Sequence, residues 1–515
     1  MSPDGKENGS LASRRGGSDS ERLVAGDMGE EEQEVVFDML DTPEAGGLII
    51  RGGAMRLFGY VGTVAMSVLS TALVTRHLGP AGFSHYTTIL SLVGAVAIVT
   101  DAGMSSLGTR EYAVLAGTER DQLMRDLLGL RMVLTTMGVL ASLAFALLAG
   151  YDTELLLATL AAGVATIGLV FQHTLSIPLM ATLRLGTVSI LELVRQALTV
   201  GGIVALVLVG AGVLPLLAVT LAVNLLLIPL TAVFVRGGIS MRMEVDLRRW
   251  LALLRLTVSF SLATAVGAIY VYAAQILTSL VTSAHQSGLF AAPFRVFVVT
   301  ITVPGLLVGG ALPMLARAAR DDRSRLAYAL QRIFEVSLII GLAAVLATLV
   351  GATFIVAVVA GPSFAASAPV LRILGVAMLG SFLNAGWGYA LISSKRYRGL
   401  LVANGSALAV SVVLTLVLAS LYGARGTAVA TVCGELTLAL GVFVALVRAH
   451  PEYRPRLTVV PKVAIAFAIS LALPLALDLS SFEGLVLALC VYATLIALLR
   501  AIPAEILEMI PRGGR

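Results

Sequence analysis

Three observations predict an all-α polytopic membrane protein of about fourteen transmembrane helices. Of 515 residues, 58% are hydrophobic and 13% charged, with a mean hydropathy of +0.94; soluble domains hold about 45–50% apolar and about 25% charged residues. Charge-free stretches long enough to cross a bilayer recur through the chain. Basic residues concentrate in alternate connections between those stretches. An ordinary soluble enzyme is excluded, because too little polar material is present to cover a chain of this length.

From the N-terminus, residues 1–50 carry twelve acidic and four basic side chains and a single aromatic, Phe37. Gly, Ser and Glu dominate, so the segment reads as a disordered acidic cytoplasmic tail. A short amphipathic patch, Val35 to Leu40, is either an incidental part of this spacer or a dock for a protein partner. No apolar core follows a basic start, and no signal peptide is expected. A membrane helix needs about 20 mostly apolar residues. Spans meeting that requirement lie at 54–75, 83–107, 129–150, 154–176, 187–210, 213–235, 251–281, 288–313, 333–360, 370–392, 399–421, 426–447, 460–477 and 483–499. The charge-free run from Gln196 to Val235 is too long for one helix and breaks at Gly210-Ala211-Gly212 and Pro215. The run from Leu256 to Phe294 breaks at His285-Gln286-Ser287. The chain thus divides into a tail (1–50), six spans (51–250), six spans (251–458), a terminal pair (459–500) and a C-terminal tail (501–515).

Residues 51–515 hold 32 basic and 19 acidic side chains. With the N-terminus in the cytoplasm, 27 of the 32 fall on cytoplasmic segments and helix ends, among them Arg236, Arg248, Arg249, Arg317, Arg320, Lys395, Arg396, Arg448 and Arg454. The outer side keeps Arg76, Arg372 and Arg425. A missed or invented span would invert this alternation downstream, so it also checks the count. Both termini are expected in the cytoplasm. The basic excess is a matter of topology, and no nucleic-acid partner is expected; the partner in contact is membrane lipid.

Chemistry-bearing motifs are scarce. No Walker A pattern, H-E-x-x-H or nucleophile elbow occurs. Cys433 and Cys490 lie alone in apolar runs, and the five His residues have no ligand spacing. No metal, no cofactor and no enzymatic activity are therefore expected. The outer connections are short, which leaves no room for the external domain of a membrane glycosyl transferase or polymerase. Asp152 and Glu154 have a D-x-E spacing suited to metal-assisted transfer; a turn capping the next helix through Thr153 is the simpler account. Transport, a channel or a scaffold remains.

Residues 76–113, RHLGPAGFSHYTTILSLVGAVAIVTDAGMSSLGTREYA, narrow the choice. This segment resembles the first two helices of the polysaccharide and O-antigen flippases of the multidrug/oligosaccharidyl-lipid/polysaccharide (MOP) superfamily. Leu78-Gly79-Pro80, Gly82-Phe83, Tyr86, Arg110 and Ala113 match, while Asp101-Ala102-Gly103 lacks the family's aromatic. QSGLFAAPFRV (286–296) resembles the start of its eighth helix, GPSFAASAPVLRILG (361–375) the external turn before its tenth, and YGARGTAVATVCGELTLAL (422–440) its twelfth. The resemblance covers about residues 50–500 and leaves out the acidic tail. It implies two six-helix lobes, related as parallel repeats around a central cavity, with two added C-terminal helices. It also implies a bacterial plasma (inner) membrane protein that flips a lipid-linked oligosaccharide, an isoprenoid-pyrophosphate glycan, from the cytoplasmic to the outer leaflet by alternating access. A multidrug/cation antiporter of the same superfamily is the rival. Glycan biosynthesis enzymes or a regulator are the partners the acidic tail would recruit.

Charges inside the hydrocarbon cost about 2.5–3.5 kcal/mol on insertion scales and are functional candidates by default. Arg295, seven residues past Gly288, is the first substrate-binding candidate, because a phosphate-bearing cargo needs a cation and Arg offers a bidentate fork. The resemblance implies a cavity-facing cation there as well; a structural Arg bonded to a helix carbonyl is the alternative. Arg195 is the second candidate, although Glu192, itself a coupling or gating candidate, lies three residues earlier on one helix face and is placed to pair with it. Gln275 and Asn384 are candidates for the cavity wall, with helix–helix hydrogen bonding an equal reading, as it is for Asn224. Glu435, in the middle of the twelfth span, suits either coupling to protons or a structural hydrogen bond. Asp101, at the cytoplasmic end of the second span, suits either a gate or an interfacial pair with Arg110.

Overall fold

The structure is a computed structural model and describes residues 43–101, 103–182, 184–235, 246–309, 323–394 and 396–501. The amphipathic patch at 35–40, the connections 236–245 and 310–322 with Arg236, Arg317 and Arg320, and Lys395 lie outside the described residues. Among the described residues thirteen helices are long and apolar enough to cross a membrane. One of them, Gly62–Val114, has 53 residues. It would span about 80 Å at 1.5 Å per residue, against about 30 Å of hydrocarbon. Its parent helix, Pro43–Asp101, is in fact two helices joined at Gly79, whose φ of 64° and ψ of −177° are non-helical. A left-handed φ without a Cβ penalty needs glycine, and Pro80, which has no N–H to leave unsatisfied, starts the second piece. The pieces are α1 (43–78) and α2 (80–101), so the thirteen candidate spans among the described residues become fourteen, as expected.

After a left-handed Gly103 come α3 (Met104–Val114), α4 (Gly117–Leu148), α5 (Thr153–Leu175), α6 (Ile177–Ala181), α7 (Leu185–Leu208) and α8 (Val213–Phe234). The second half holds α9 (Leu247–Val281), α10 (Ala284–Gly309), α11 (Arg323–Val359), a 3₁₀ turn (Pro362–Ser367), α12 (Ala368–Ser393), α13 (Tyr397–Tyr422) and α14 (Ala424–Ala449). The terminal pair is α15 (Val460–Ala476) and α16 (Ser481–Leu498). Several boundaries differ from the hydropathy spans. The first helix begins at Pro43, inside the segment 1–50 that composition assigns to a disordered tail. Helix α4 begins at Gly117, twelve residues before its expected start, because its first turns are charged and hydropathy sees only the apolar remainder. The cap of α5 is Asp152, whose carboxylate accepts from the Leu155 N–H at 2.9 Å, and not Thr153. Asp246 caps α9; hydrogen bonds led by the Arg249 N–H hold its carboxyl below the usual carboxylate range.

The packing repeats. In the first half α5 packs on α4 and α8, and α7 on α8; in the second α12 packs on α11 and α14, and α13 on α14. Gly62 of α1 approaches Leu193 of α7 as Gly267 of α9 approaches Asn404 of α13. The turns at Gly150 and Gly210 have left-handed counterparts at Gly361 and Gly423. The molecule is thus two six-helix lobes plus a terminal pair that packs on α11, with the Tyr492 hydroxyl donating to the Ile339 carbonyl at 2.9 Å. One end of the bundle carries the tight turns at Gly79, Gly150, Gly210, Gly361 and Gly423. The other, basic end carries Arg120, Arg184, Arg248, Arg396, Arg398, Arg448, Arg454 and Arg500.

Candidate functional site

A cavity of about 430 Å³ lies between the lobes, within the roughly 300–1,000 Å³ of ligand sites. Each helix contributes one stripe. Helix α1 presents Ser67, Ser70, Thr71 and Val74; α2 presents Phe83, Tyr86, Thr87, Leu90 and Ser91; α10 presents Ala291, Phe294, Arg295 and Val298. These intervals of three and four place each set on one helix face. The hydroxyls cost little in a membrane helix because they bond backward: Thr71 to the Ser67 carbonyl, Thr87 to Phe83 and Ser91 to Thr87, each at 2.8 Å. Their oxygens stay available as acceptors, and rotation turns them into donors.

Arg295 is exposed to this cavity, eleven residues into α10 and so about 16 Å along its axis. No carboxylate among the described residues makes an ion pair with it. Arg195, on α7, also lines the cavity. Its guanidinium makes two bonds to Glu192, one from Nε to Oε2 at 3.0 Å and one from Nη2 to Oε1. The pair expected from their spacing is therefore present, and it leaves Arg295 as the uncompensated charge. No Asp or Glu belongs to the cavity wall among the described residues.

Gln275 is buried at the cavity wall. Its Nε2 donates to the hydroxyls of Thr88, at 3.2 Å, and Ser287, at 3.1 Å, while Oε1 has no hydrogen-bond partner. Thr88 belongs to α2, so Gln275 ties the two lobes together and keeps one unused acceptor. Other ties lie above it, at the Gly79 end. Arg76 Nη2 donates to the Val358 carbonyl at 2.7 Å, and the Thr75 hydroxyl to Val359 at 3.1 Å. Phe83 meets Phe364 edge-on with centroids 6.0 Å apart. Gly288 packs so closely that a Cβ there would collide with the Pro80 carbonyl. The cavity is sealed at this end.

The other candidates lie elsewhere. Asp101 does not pair with Arg110, which is exposed and 4.0 Å from Glu111. It accepts from Arg131 Nη2 at 2.6 Å and from the Ser105 hydroxyl. Arg131 is 1% exposed and is the largest fully buried side chain among the described residues. Its position in the run LLGLRMVL looked like a helix end; the early start of α4 places it fourteen residues inside the helix. Reading Arg195 and Arg295 as the two deep arginines therefore missed a third. His173, on α5, lies within electrostatic reach of Asp101, Arg131, Glu192 and Arg195; isolated in the sequence, it carried no spacing signal. Glu435 is buried away from the central cavity. Its Oε1 accepts from the Tyr270 hydroxyl at 2.9 Å and its Oε2 from Ser381 at 2.5 Å, tying α9, α12 and α14. Asn384 is half-buried and outside the cavity wall, with Oδ1 unpaired. Asn224 bonds the Ala165 carbonyl at 2.8 Å, a link between helices. No group of three or more His, Cys, Asp or Glu among the described residues is placed to hold a metal.

No protein-family model matches the chain, and no curated protein matches it by sequence. Solved structures do. Lipid II flippase MurJ, in an inward closed conformation, superposes with a TM-score of 0.74 at 12% identity, covering 86% of this chain and 98% of that one. An inward-facing multidrug resistance MATE family transporter of the MOP superfamily gives 0.63 at 13% identity, covering 78% and 98%. A MOP superfamily transporter from Pyrococcus furiosus Vc1 gives 0.56 at 15% identity, covering 79% and 96%. The chain has the fold of these transporters.

Proposed function

We propose that the chain flips a lipid-linked oligosaccharide, with an isoprenoid-pyrophosphate carrier, from the cytoplasmic to the outer leaflet of a bacterial plasma membrane for surface polysaccharide synthesis. The supporting observation is the charge of the cavity: Arg295 without an ion-pair partner among the described residues, Arg195 held by Glu192, hydroxyls around them and no described carboxylate on the wall. An anionic headgroup fits this lining. A cationic drug, the cargo of the rival antiporter reading, would face uncompensated like charge. The diphosphate would accept from Arg295, the glycan would meet the hydroxyl stripes, and the isoprenoid tail would stay in the bilayer.

In this reading the basic end faces the cytoplasm and the Gly79 end faces outward. Alternating access requires the seal at the Gly79 end to part while the basic end closes. The hydrogen bonds holding it are few and are worth about 1 kcal/mol each net, so cargo-dependent contacts are enough to shift the balance. Arg295→Ala tests the reading. Surface-glycan export in cells should fall at least tenfold at unchanged protein level, and Arg295→Lys should retain part of it. Undiminished export in the alanine variant would remove the diphosphate-contact role.

A further inference from the structure

A second concavity, of about 490 Å³, opens on an exposed face of the second lobe between α13 and α14, at the basic end. Its floor is made of small residues: Gly399 approaches Ala445, and Gly441 approaches Ala403, each at about 3.0 Å for a Cβ built on the glycine. Val402, Val444 and Leu440 form its apolar sides. The two hydroxyls in it are turned away, Ser406 bonding the Ala403 carbonyl and Thr437 the Cys433 carbonyl. Below the rim the groove is therefore effectively apolar.

The rim carries two cations, Arg398 from the start of α13 and Arg448 from the end of α14. Both are exposed, and no carboxylate among the described residues makes an ion pair with either. From Arg398 to Ser406 the groove descends about 12 Å, and from Arg448 to Thr437 about 16 Å. One leaflet of hydrocarbon is about 15 Å deep. An apolar trough one leaflet deep, with two arginines where phosphates lie, has the shape and charge of one phospholipid. We infer that this groove binds a single anionic phospholipid in the leaflet at the basic end, the phosphate between Arg398 and Arg448 and an acyl chain along the floor. A two-pronged cationic rim selects phosphate over a zwitterionic headgroup, whose own cation it repels.

The inference is separate from the central cavity and stands or falls without the flippase reading. The test uses the full-length protein, delipidated in a neutral detergent and titrated with dioleoyl phosphatidylglycerol, with bound lipid counted by native mass spectrometry. Wild type should show one saturable site that dioleoyl phosphatidylcholine does not fill. Arg398→Gln with Arg448→Gln should weaken it about thirtyfold. Val402→Trp, which fills the trough from an exposed position and leaves both arginines in place, should weaken it as well. Equal filling by the two lipids, or an undiminished site in both variants, would overturn the inference. Displacement of phosphatidylglycerol by a lower concentration of isoprenyl phosphate would overturn it too, because the groove would then belong to the cargo.

Discussion

At the scale of single residues, the arginines separate by partner. Arg295 has none among the described residues and faces the cavity. Arg195 is held by Glu192 at the cavity edge. Arg131 is buried with Asp101 and Ser105. Removing one member of a buried pair costs about 3–5 kcal/mol, because the other is left as an unsatisfied charge. Asp101 is 35% exposed, so water relieves part of that penalty and the loss lies at or below the lower figure. Arg131→Met should therefore lower the thermal midpoint of the purified protein by several degrees, whereas Arg110→Ala, at an 83% exposed side chain, should leave it in place. Equal midpoints for the two variants would contradict the structural role of Arg131. The residue type was legible in the sequence at Arg195, Glu192 and Arg295, because charge inside a long apolar run stands out. At Arg131 it was not, because a charged helical extension in front of it resembled a membrane boundary. The surroundings of His173 and the clasping role of Gln275 depend on groups brought together by the fold, such as Thr88, 187 positions from Gln275, and no local spacing encodes them.

At the scale of elements, turns and spans were legible and helix ends were not. Fourteen crossings follow from hydropathy alone, and the Gly-Pro step at 79–80 marks the break within a continuous helical stretch. Helix ends shifted by up to a dozen residues because α4 and α11 continue past the hydrocarbon on charged turns. The close approach of α10 to α2 was visible only as a glycine in a motif. Gly288 is the position where α10 meets the Pro80 backbone, and the seal at the Gly79 end depends on it. Gly288→Ala should wedge that seal open. In a background with Cys433→Ser and Cys490→Ser, a cysteine replacing Thr87 on the cavity wall should react faster with an external, membrane-impermeant thiol reagent when Gly288→Ala is added. An unchanged rate would mean that this contact does not close the cavity.

At the scale of the whole molecule, the repeated packing of the two lobes and the cavity between them suit a cargo that enters at one end and leaves at the other. In the proposed reading the distribution of Arg sets the basic end in the cytoplasm. A cysteine replacing Asp478, in the α15–α16 turn at the Gly79 end, should be labelled in intact cells by an impermeant reagent. One replacing Arg454, at the basic end, should react only after permeabilisation. The reverse pattern would invert the proposed direction. The central claim is that the arginine-bearing cavity carries a lipid-linked diphosphate glycan across the bilayer. Its most direct measurement reconstitutes the full-length protein in liposomes with a fluorescent isoprenyl-diphosphate oligosaccharide and follows its transfer between leaflets. Wild type should accelerate transfer and Arg295→Ala should return it to the protein-free rate. Transfer at the wild-type rate by Arg295→Ala, or export of a cationic dye with no movement of the glycan lipid, would contradict the account.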